Sequence, residues 1–327
     1  IDVLIGTHAL FEDDVMFKNL GYVVIDEQHK FGVKQRSKMW KKNNPPPHVL
    51  IMTATPIPRT LTMSIYGDLD ISIIDEMPPG RKDIVTVHRT DSNRLKVFAF
   101  LKDQIKSGRQ IYIVYPLIEE SKKMDLKFLE DGYESLLRDF PRDKYQVGVL
   151  HGKMKNNDKD FEMKRFIDGK TNILISTTVI EVGVNVPNAS VMIIESAERF
   201  GLSQMHQLRG RVGRGSYESY CILMTKDNLS NDAQTRIKAM TETNNGFIIS
   251  EIDLKLRGPG DVLGTRQSGD LDFKLGDIVN DADVFNEAFN EVKKVLSTDP
   301  NLINTSNNNI KSYLVNNSNN KSWNIIG

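Results

Sequence analysis

Short apolar runs alternate with longer stretches of mixed polar and apolar residues along most of this chain, and this rhythm limits the fold more than any other feature. Such runs are typical of parallel strands that are buried on both faces, and the stretches between them are long enough for connecting helices. The candidate strands are Val3–Ile5, Tyr22–Ile25, Val49–Thr53, Ile84–Val87, Gln110–Val114, Gln146–Leu150, Asn172–Ser176, Val191–Glu195 and Tyr220–Met224. The sequence therefore predicts an α/β protein built on parallel sheets.

Two changes in this rhythm divide the chain. The segment Met77–Lys82 contains consecutive prolines followed by glycine, and we interpret this turn-rich break as a hinge between two sheets. From about Asn228 the strand rhythm stops. We therefore expect three parts, which comprise residues 1–82, 83–227 and 228–327.

The last of these parts is predicted to be mainly helical. Asp232–Thr243 and Asp281–Leu296 have the spacing of amphipathic helices and flank the glycine-rich stretch Leu256–Gly269. The tail from Asn301 to Asn320 is rich in asparagine, a composition that buries little surface, so we expect a loosely docked or frayed end.

Charge and cysteine content exclude several classes of protein. Lysine plus arginine equal aspartate plus glutamate at 43 each, so the chain lacks the positive surplus of a passive nucleic-acid-binding protein, and local patches must make any contact with DNA. The single cysteine, Cys221, excludes an internal disulfide and a zinc site of paired cysteines. No apolar run is long enough to cross a membrane, so we expect a cytoplasmic protein without membrane contacts. Because strand-like residues begin at Ile1, we interpret the chain as a fragment.

Two adjacent carboxylates, Asp26 and Glu27, follow the apolar run Tyr22–Ile25. Neighbouring residues of a strand point to opposite sides, so the two acids can divide the work of phosphoryl transfer. In this interpretation Asp26 holds Mg²⁺ through water, and Glu27 orients and deprotonates the attacking water. The alternative is an ordinary solvated strand end.

Hydroxyl side chains follow two other predicted strands. Thr53 and Thr55 stand where they can hydrogen-bond to the acidic site and respond to the γ-phosphate, although Thr55 can also simply begin a turn with Pro56. Thr177 follows the run Asn172–Ser176, where its hydroxyl can bind a DNA phosphate or cap a helix. Neither segment decides between these alternatives by itself.

The segment Arg209–Gly215 contains three arginines separated by glycines. Arg211 and Arg214 are three residues apart, close to one helical turn, so both can point to one anion, as arginine fingers do during phosphoryl transfer. The glycines remove bulk and would let a ligand approach closely. A solvated basic face is the alternative interpretation.

The order of these segments, more than any one of them, carries the functional prediction. The carboxylate pair, Thr-Ala-Thr, the threonine-glycine segment and the arginine segment follow one another as they do in the two-lobed helicase motors of superfamily 2. The chain resembles the RecG family in particular, and the resemblance runs from Ile1 to about Leu296. The matching segments are Asp26–Val33, Thr53–Thr60, Tyr66–Asp70, Ala197–Gly201 and Leu256–Gln267.

This resemblance implies tandem RecA-like lobes, of which the first is incomplete, followed by a small mainly helical unit. It also implies a monomeric, ATP-dependent and Mg²⁺-dependent DNA helicase or translocase. The implied substrate is branched double-stranded DNA, such as forks and Holliday junctions, in recombination and repair.

The residue roles that follow from the resemblance fall into three groups. The implied catalytic residues are Asp26 and Glu27, as the Walker B pair, with Arg211 and Arg214. The residues implied to contact or sense the nucleotide are His29, Asn185 and Gln207. Those implied to couple hydrolysis to movement, or to lie on the DNA side, are Thr7, Thr53, Thr55, Thr177, Arg236, Arg257 and Gln267.

Two features depart from the family pattern. The phosphate-binding pattern Gly-x-x-x-x-Gly-Lys-Ser/Thr occurs nowhere in the 327 residues, so we expect the isolated chain to be inactive as an ATPase. Asn185 stands where aspartate is usual, which keeps a hydrogen-bond acceptor but removes the charge. Two alternatives are a relative of the transcription-repair coupling translocase, against which Gln28 and His29 argue, and a DNA-binding or partner-binding module without catalysis of its own.

Overall fold

The structure, a computed structural model, describes residues 1–27, 42–54, 70–78, 80–116, 122–177, 186–257 and 281–317. The chain forms two compact units, of which the first combines Ile1–Ser72 with Gly258–Gly327 and the second is Ile73–Arg257. Within the described ranges, none of the helices has the length and apolar character that crossing a bilayer requires.

The first unit contains a two-stranded parallel sheet of β1 (Tyr22–Ile25) and β2 (His48–Ile51). Alternate residues of β1 are buried, so Val23 and Ile25 pack with Phe11 in a small core while their neighbours in the strand are exposed. This alternation is what a strand covered on one face requires. Strand β1 has the predicted bounds, and β2 begins one residue and ends two residues before the predicted run Val49–Thr53.

The prediction of a strand over Val3–Ile5 is wrong. These residues have no regular secondary structure, and all three side chains are exposed. An apolar triplet forms a strand only when a neighbouring strand hydrogen-bonds to its backbone, and the described residues provide no such neighbour.

The second unit contains a parallel sheet whose strands, in chain order, are β3 (Ile84–Thr90), β4 (Gln110–Tyr115), β5 (Val147–Leu150), β6 (Ile173–Thr177), β7 (Ala189–Ile194) and β8 (Ser219–Thr225). Their order across the sheet is β3-β8-β7-β4-β6-β5. Every residue of β4, β6 and β7 is buried, which explains why these runs do not alternate between apolar and polar residues. The predicted α/β fold with parallel sheets is confirmed.

Helices cover both faces of this sheet. In chain order they are α1 (Arg94–Lys106), α2 (Lys122–Asp139), α3 (Asn156–Ile167), α4 (Leu202–Arg209), α5 (Asn231–Glu242) and α6 (Gly246–Arg257). Helices α1 and α2 contribute Phe98 and Leu129 to one core, and the remaining helices contribute to the other, for example through Met205, Ile237 and Ile249. The helical hairpin of α5 and α6 is therefore packed on the six-stranded sheet.

The described C-terminal residues of the first unit form α7 (Ala282–Thr298) and α8 (Asn308–Asn317). Helices α5 and α7 lie where the sequence predicted helices. The sequence predicted a loosely docked or frayed tail, and α8 lies within it, so Asn308–Asn317 is helical and not frayed. Between the two helices the Asp299 carboxylate accepts hydrogen bonds from the N–H groups of Ile303 and Asn304, which fixes the turn locally although the described side chains of α8 are exposed.

Candidate functional site

Asp26 and Glu27 directly follow β1 and leave the sheet at its carboxyl edge. The hydrogen bonds between the two strands continue one step further, because the N–H of Met52 donates to the carbonyl of Ile25 at 2.8 Å, so Thr53 follows at the same edge. Glu27 has a left-handed backbone with a φ of 51°, and its N–H donates to Oδ1 of Asp26 at 2.9 Å. Left-handed residues other than glycine are sparse and cluster at functional sites. The structure thus brings the two predicted acids and Thr53 to one edge.

Thr7 is the other predicted site residue of this unit that the structure describes. It is exposed and precedes the 3-10 helix His8–Phe11, to which its hydroxyl gives no capping hydrogen bond. The predicted site residues that lie outside the described residues are His29, Thr55, Asn185 and Gln267.

In the second unit, Arg209 ends α4 as a buried side chain with 2% exposure. Its Nη1 donates to the carbonyls of Met240 at 3.0 Å and Thr243 at 2.9 Å, at the end of α5. Its Nη2 lies 3.0 Å from Nδ1 of His206, one turn earlier in the same helix. Arg209 therefore fixes α4 to α5 from inside the fold. The sequence had grouped it with the neighbouring arginines as a candidate for a solvated basic face, which is wrong for this residue.

Arg211 and Arg214 follow Arg209 in the loop after α4. Arg211 is half-buried and Arg214 is exposed, with its Nε donating to the carbonyl of Gly210 at 3.2 Å. Burial raises the pKa of Tyr112, in β4, to about 12, and the positive charges of Arg211 and Arg214 each offset part of that rise. Both positive charges therefore act electrostatically on the Tyr112 hydroxyl. That Arg211 and Arg214 address one anion remains a prediction.

The glycines of this loop serve the protein's own packing. Gly213 has a φ of 76°, and a methyl group there would lie 2.9 Å from Cγ1 of Ile84. A methyl group at Gly215 would overlap the carbonyl oxygen of Pro187. The sequence had suggested that these glycines make room for a ligand. At Gly213 and Gly215 the space is instead occupied by atoms of the protein itself. Gln207, the remaining predicted residue of this segment, is half-buried on α4.

Thr177 ends β6 and is buried, with 2% exposure. Its Oγ1 has no hydrogen-bond partner within the part of the chain that the structure describes, and the hydroxyl of Ser176 donates to its carbonyl. Thr177 is the last residue of β6 and therefore lies at the carboxyl edge of the sheet, where open α/β sheets bind ligands.

The helical hairpin contacts the segment that leads into α4. Nη2 of Arg236, in α5, donates to the carbonyl of Glu198 at 2.8 Å. Arg257, at the end of α6, lies against Gly201, where a methyl group would overlap its guanidinium. These two predicted coupling residues therefore both contact residues shortly before the arginine segment.

Sequence reasoning missed the acid that supports this contact. Oδ1 of Asp253 forms an ion pair with Nε of Arg257 at 3.1 Å, and Oδ2 accepts a hydrogen bond from the hydroxyl of Ser203 at 3.1 Å, so Asp253 joins α6 to the first turn of α4. The spacing of four residues between Asp253 and Arg257 was the available signal. A second missed pair is Arg94 with Glu195, whose two contacts of 2.7 and 2.9 Å attach the start of α1 to the end of β7.

Comparisons with known proteins match three regions of the chain to helicase families. The model described as "ATP-dependent DNA helicase RecG, domain 3, C-terminal" matches residues 243–326, the helicase conserved C-terminal domain matches 94–216, and the DEAD/DEAH box helicase model matches 1–64. The chain is 51% identical to the ATP-dependent DNA helicase RecG of Synechocystis over 303 residues, which are 92% of this chain and 36% of that protein. The chain belongs to the RecG family. The Bacillus subtilis RecG is 50% identical over 299 residues, 91% of this chain and 43% of that protein.

A solved structure of RecG bound to a three-way DNA junction is 44% identical, with a TM-score of 0.66, and covers 87% of this chain and 36% of that one. The chain thus spans well under half the length of the RecG proteins that it matches. The three matched regions include the acid edge, the arginine segment and α6. Arg236 lies between two matched regions. The other described site residues all lie in segments with a helicase or RecG counterpart.

Proposed function

We propose that this chain supplies part of the motor of an ATP-dependent DNA helicase or translocase that remodels branched double-stranded DNA, by fork reversal and Holliday-junction branch migration in recombination and repair. The observation that carries the proposal is the arginine segment. Buried Arg209 holds the end of α4 in place, and Arg211 and Arg214 follow it in the adjoining loop, where both positive charges offset part of the rise in the pKa of Tyr112. The names of the RecG relatives and the three-way junction in the solved RecG structure support the choice of substrate.

In this proposal the acid edge and the arginine segment perform phosphoryl transfer to water. Glu27 orients the attacking water and accepts its proton, while Arg211 and Arg214 stabilise the charge that develops on the transferring phosphoryl group. Gln207, with His29 and Asn185, contacts or senses the nucleotide.

The Asp26 carboxylate fits a Mg²⁺ site. It is exposed at a strand end, and carboxylate oxygens are the donors that this ion prefers. Among the described residues no group of three or more His, Cys, Asp or Glu side chains is arranged to hold a metal. Asp26 would therefore hold the ion through water, jointly with the phosphates of ATP. When bound, Mg²⁺ neutralises phosphate charge.

The coupling of hydrolysis to DNA movement is assigned to three groups of residues. Thr53 and Thr55 report hydrolysis from the acid edge, and Thr7 and Thr177 contact DNA. The third group is Arg236, Arg257 and Gln267. The contacts of Arg236 with Glu198 and of Arg257 with Gly201 support this assignment, because they connect the hairpin to the segment that positions α4. In functional terms we divide the chain into a first motor lobe (1–82), a second (83–227) and a translocation unit (228–327).

The first test replaces Arg211 or Arg214 with alanine in an ATPase-active polypeptide that contains this chain. We expect DNA-stimulated ATP turnover to fall by about 100-fold or more, because transition-state charge loses its stabilisation, while affinity for forked DNA changes little. Exposed Arg138 on α2, replaced with alanine, is the matched control. Equal losses of turnover and DNA affinity would reject the assignment.

The second test concerns coupling. Gln267→Ala is expected to keep most of the ATP turnover and to lose most branch unwinding, measured on a labelled junction. Normal unwinding by this variant would refute the coupling role.

The sequence favours a second proposal for the chain in isolation. Because the phosphate-binding loop pattern is absent from its 327 residues, we propose that the chain alone binds DNA without sustained ATP turnover. Robust DNA-stimulated hydrolysis by the isolated chain would contradict this.

A further inference from the structure

A further arginine, Arg81, lies beside the arginine segment, three residues before β3 begins. The two segments touch directly: a methyl group at Gly213 would lie 2.9 Å from Cγ1 of Ile84 and 3.9 Å from the carbonyl oxygen of Lys82. Helix α4 is also tied to β3, because Nη1 of Arg209 lies 3.4 Å from Oγ1 of Thr86. The chain therefore delivers Arg81 to the loop that contains Arg211 and Arg214.

One nitrogen of the Arg81 guanidinium, Nε, has no hydrogen-bond partner among the described residues. The side chain is half-buried, and this Nε is fully covered. Over the same residues, no carboxylate lies within ion-pair distance of Arg81 or Arg214. Burial, and then the positive charge of Arg214, lower the pKa of Arg81, which places the two guanidinium groups within electrostatic reach of each other.

His206, on α4, gives no negative charge that would compensate the positive charge of Arg81. Burial lowers the pKa of His206 to about 4, and the charges of Arg209 and Arg81 contribute to the shift, so the ring is neutral near pH 7. A covered donor without a partner raises the free energy of the fold, and an anion that binds there also offsets the repulsion between neighbouring positive charges. Planar guanidinium groups are suited to phosphate oxygens, which they can bind through two parallel hydrogen bonds.

We propose that Arg81 is a third phosphate-binding arginine, which positions the triphosphate of a nucleotide together with Arg211 and Arg214. The inference rests on the proposed function, to which it adds a residue from the segment before β3. Arg81 is a positioning residue, because it acts on the bound phosphates and takes no part in activating the attacking water. The phosphates of a DNA backbone share this chemistry, so the test must separate the two sources.

The test measures binding of sodium tripolyphosphate and of ATP to the 327-residue chain by titration calorimetry at constant ionic strength. Arg81→Gln is expected to weaken both by about tenfold or more, since it removes charge-assisted hydrogen bonds. The matched control is Arg89→Gln on β3, where the exposed guanidinium donates to the carbonyl of His88 and no loss of affinity is expected. Affinity for a forked DNA duplex is expected to stay within about twofold in both variants.

A further variant guards against loss of folding. Arg81→Lys keeps the charge but loses the planar fork, so it is expected to bind tripolyphosphate several-fold more weakly than the wild type at an unchanged thermal midpoint. If Arg81→Gln unfolds, this variant decides the outcome, and wild-type affinity in it overturns the inference.

The remaining outcomes separate this inference from the proposed function. If Arg211→Gln and Arg214→Gln weaken tripolyphosphate binding and Arg81→Gln does not, the role of Arg81 is overturned and the proposed function stands. If the wild-type chain fails to bind tripolyphosphate, or none of the three variants changes its affinity, the inference is overturned, whereas the proposed function is decided separately by the ATP turnover of Arg211→Ala and Arg214→Ala in the ATPase-active polypeptide. A loss of DNA affinity in Arg81→Gln without a loss of tripolyphosphate affinity overturns the inference in favour of a backbone-phosphate contact.

Discussion

The acid edge and the arginine segment are supported by very different amounts of structure. Asp26 and Glu27 follow a two-stranded sheet whose described core consists of Phe11, Val23 and Ile25, with partly buried neighbours. The arginine segment follows a helix packed on a six-stranded sheet, and buried Arg209 fixes the start of that segment by hydrogen bonds to α5. The arginines are therefore positioned by the core of their unit, whereas the acids are positioned mainly by the local backbone of Glu27.

The comparison predicts that the largest loss of stability comes from Arg209. Arg209→Met would leave the carbonyls of Met240 and Thr243 buried without their donor, and we expect a loss of about 3–5 kcal/mol in the free energy of unfolding. Urea unfolding followed by circular dichroism measures it, with Arg138→Met on the surface of α2 as control. A loss no larger than that of the control would show that Arg209 stabilises its unit no more than a surface arginine does.

The next largest effect is expected at Gly213. Gly213→Ala combines a left-handed backbone with a contact to Ile84, so we expect a loss of about 2–3 kcal/mol. Gly169→Ala is a matched control, because Gly169 also has a positive φ of 73° but open space around its Cα, and its cost should be about 1 kcal/mol. Equal losses of stability at the two positions would show that the contact with Ile84 contributes nothing.

An intermediate effect concerns pH. The pKa of His206 is lowered from its ordinary value of 6.5 to about 4 in the folded protein, so between these values the unfolded chain binds a proton that the folded one does not. Stability should therefore fall as the pH drops from about 6.5 towards 4, and His206→Gln should flatten this part of the profile. Thermal midpoints measured across the range test this, with exposed His48→Gln expected to keep the wild-type slope.

The smallest effect is expected in the first unit, at Asp299. Hydrogen bonds from Ile303, Asn307 and Asn304 lower the pKa of this carboxylate, so its contribution is present above the unfolded pKa and is lost as the pH falls through the folded one. Asp299→Asn should speed hydrogen exchange at the amides of Ile303 and Asn304 while leaving the second unit unchanged. Exchange that changes equally in both units would show that the turn has a wider role.

The sequence determined the kind of fold and the content of the candidate site. Continuous apolar runs required strands buried on both faces, and the predicted parallel strands from Ile84 onward are all present. The placement of Asp26 and Glu27 after a strand also followed from sequence, because a strand delivers the residues after it to an edge of the sheet.

Only the tertiary structure decided which residue of a local pattern has which role. Arg209 and Arg211 are alike in local sequence, yet one is buried against α5 and the other reaches the vicinity of Tyr112, because burial depends on helices that are distant in the chain. For the same reason Val3–Ile5 is apolar without forming a strand. Arg81 lay unnoticed in a turn-rich segment, since its position beside the arginine segment follows from the packing of Ile84 against Gly213.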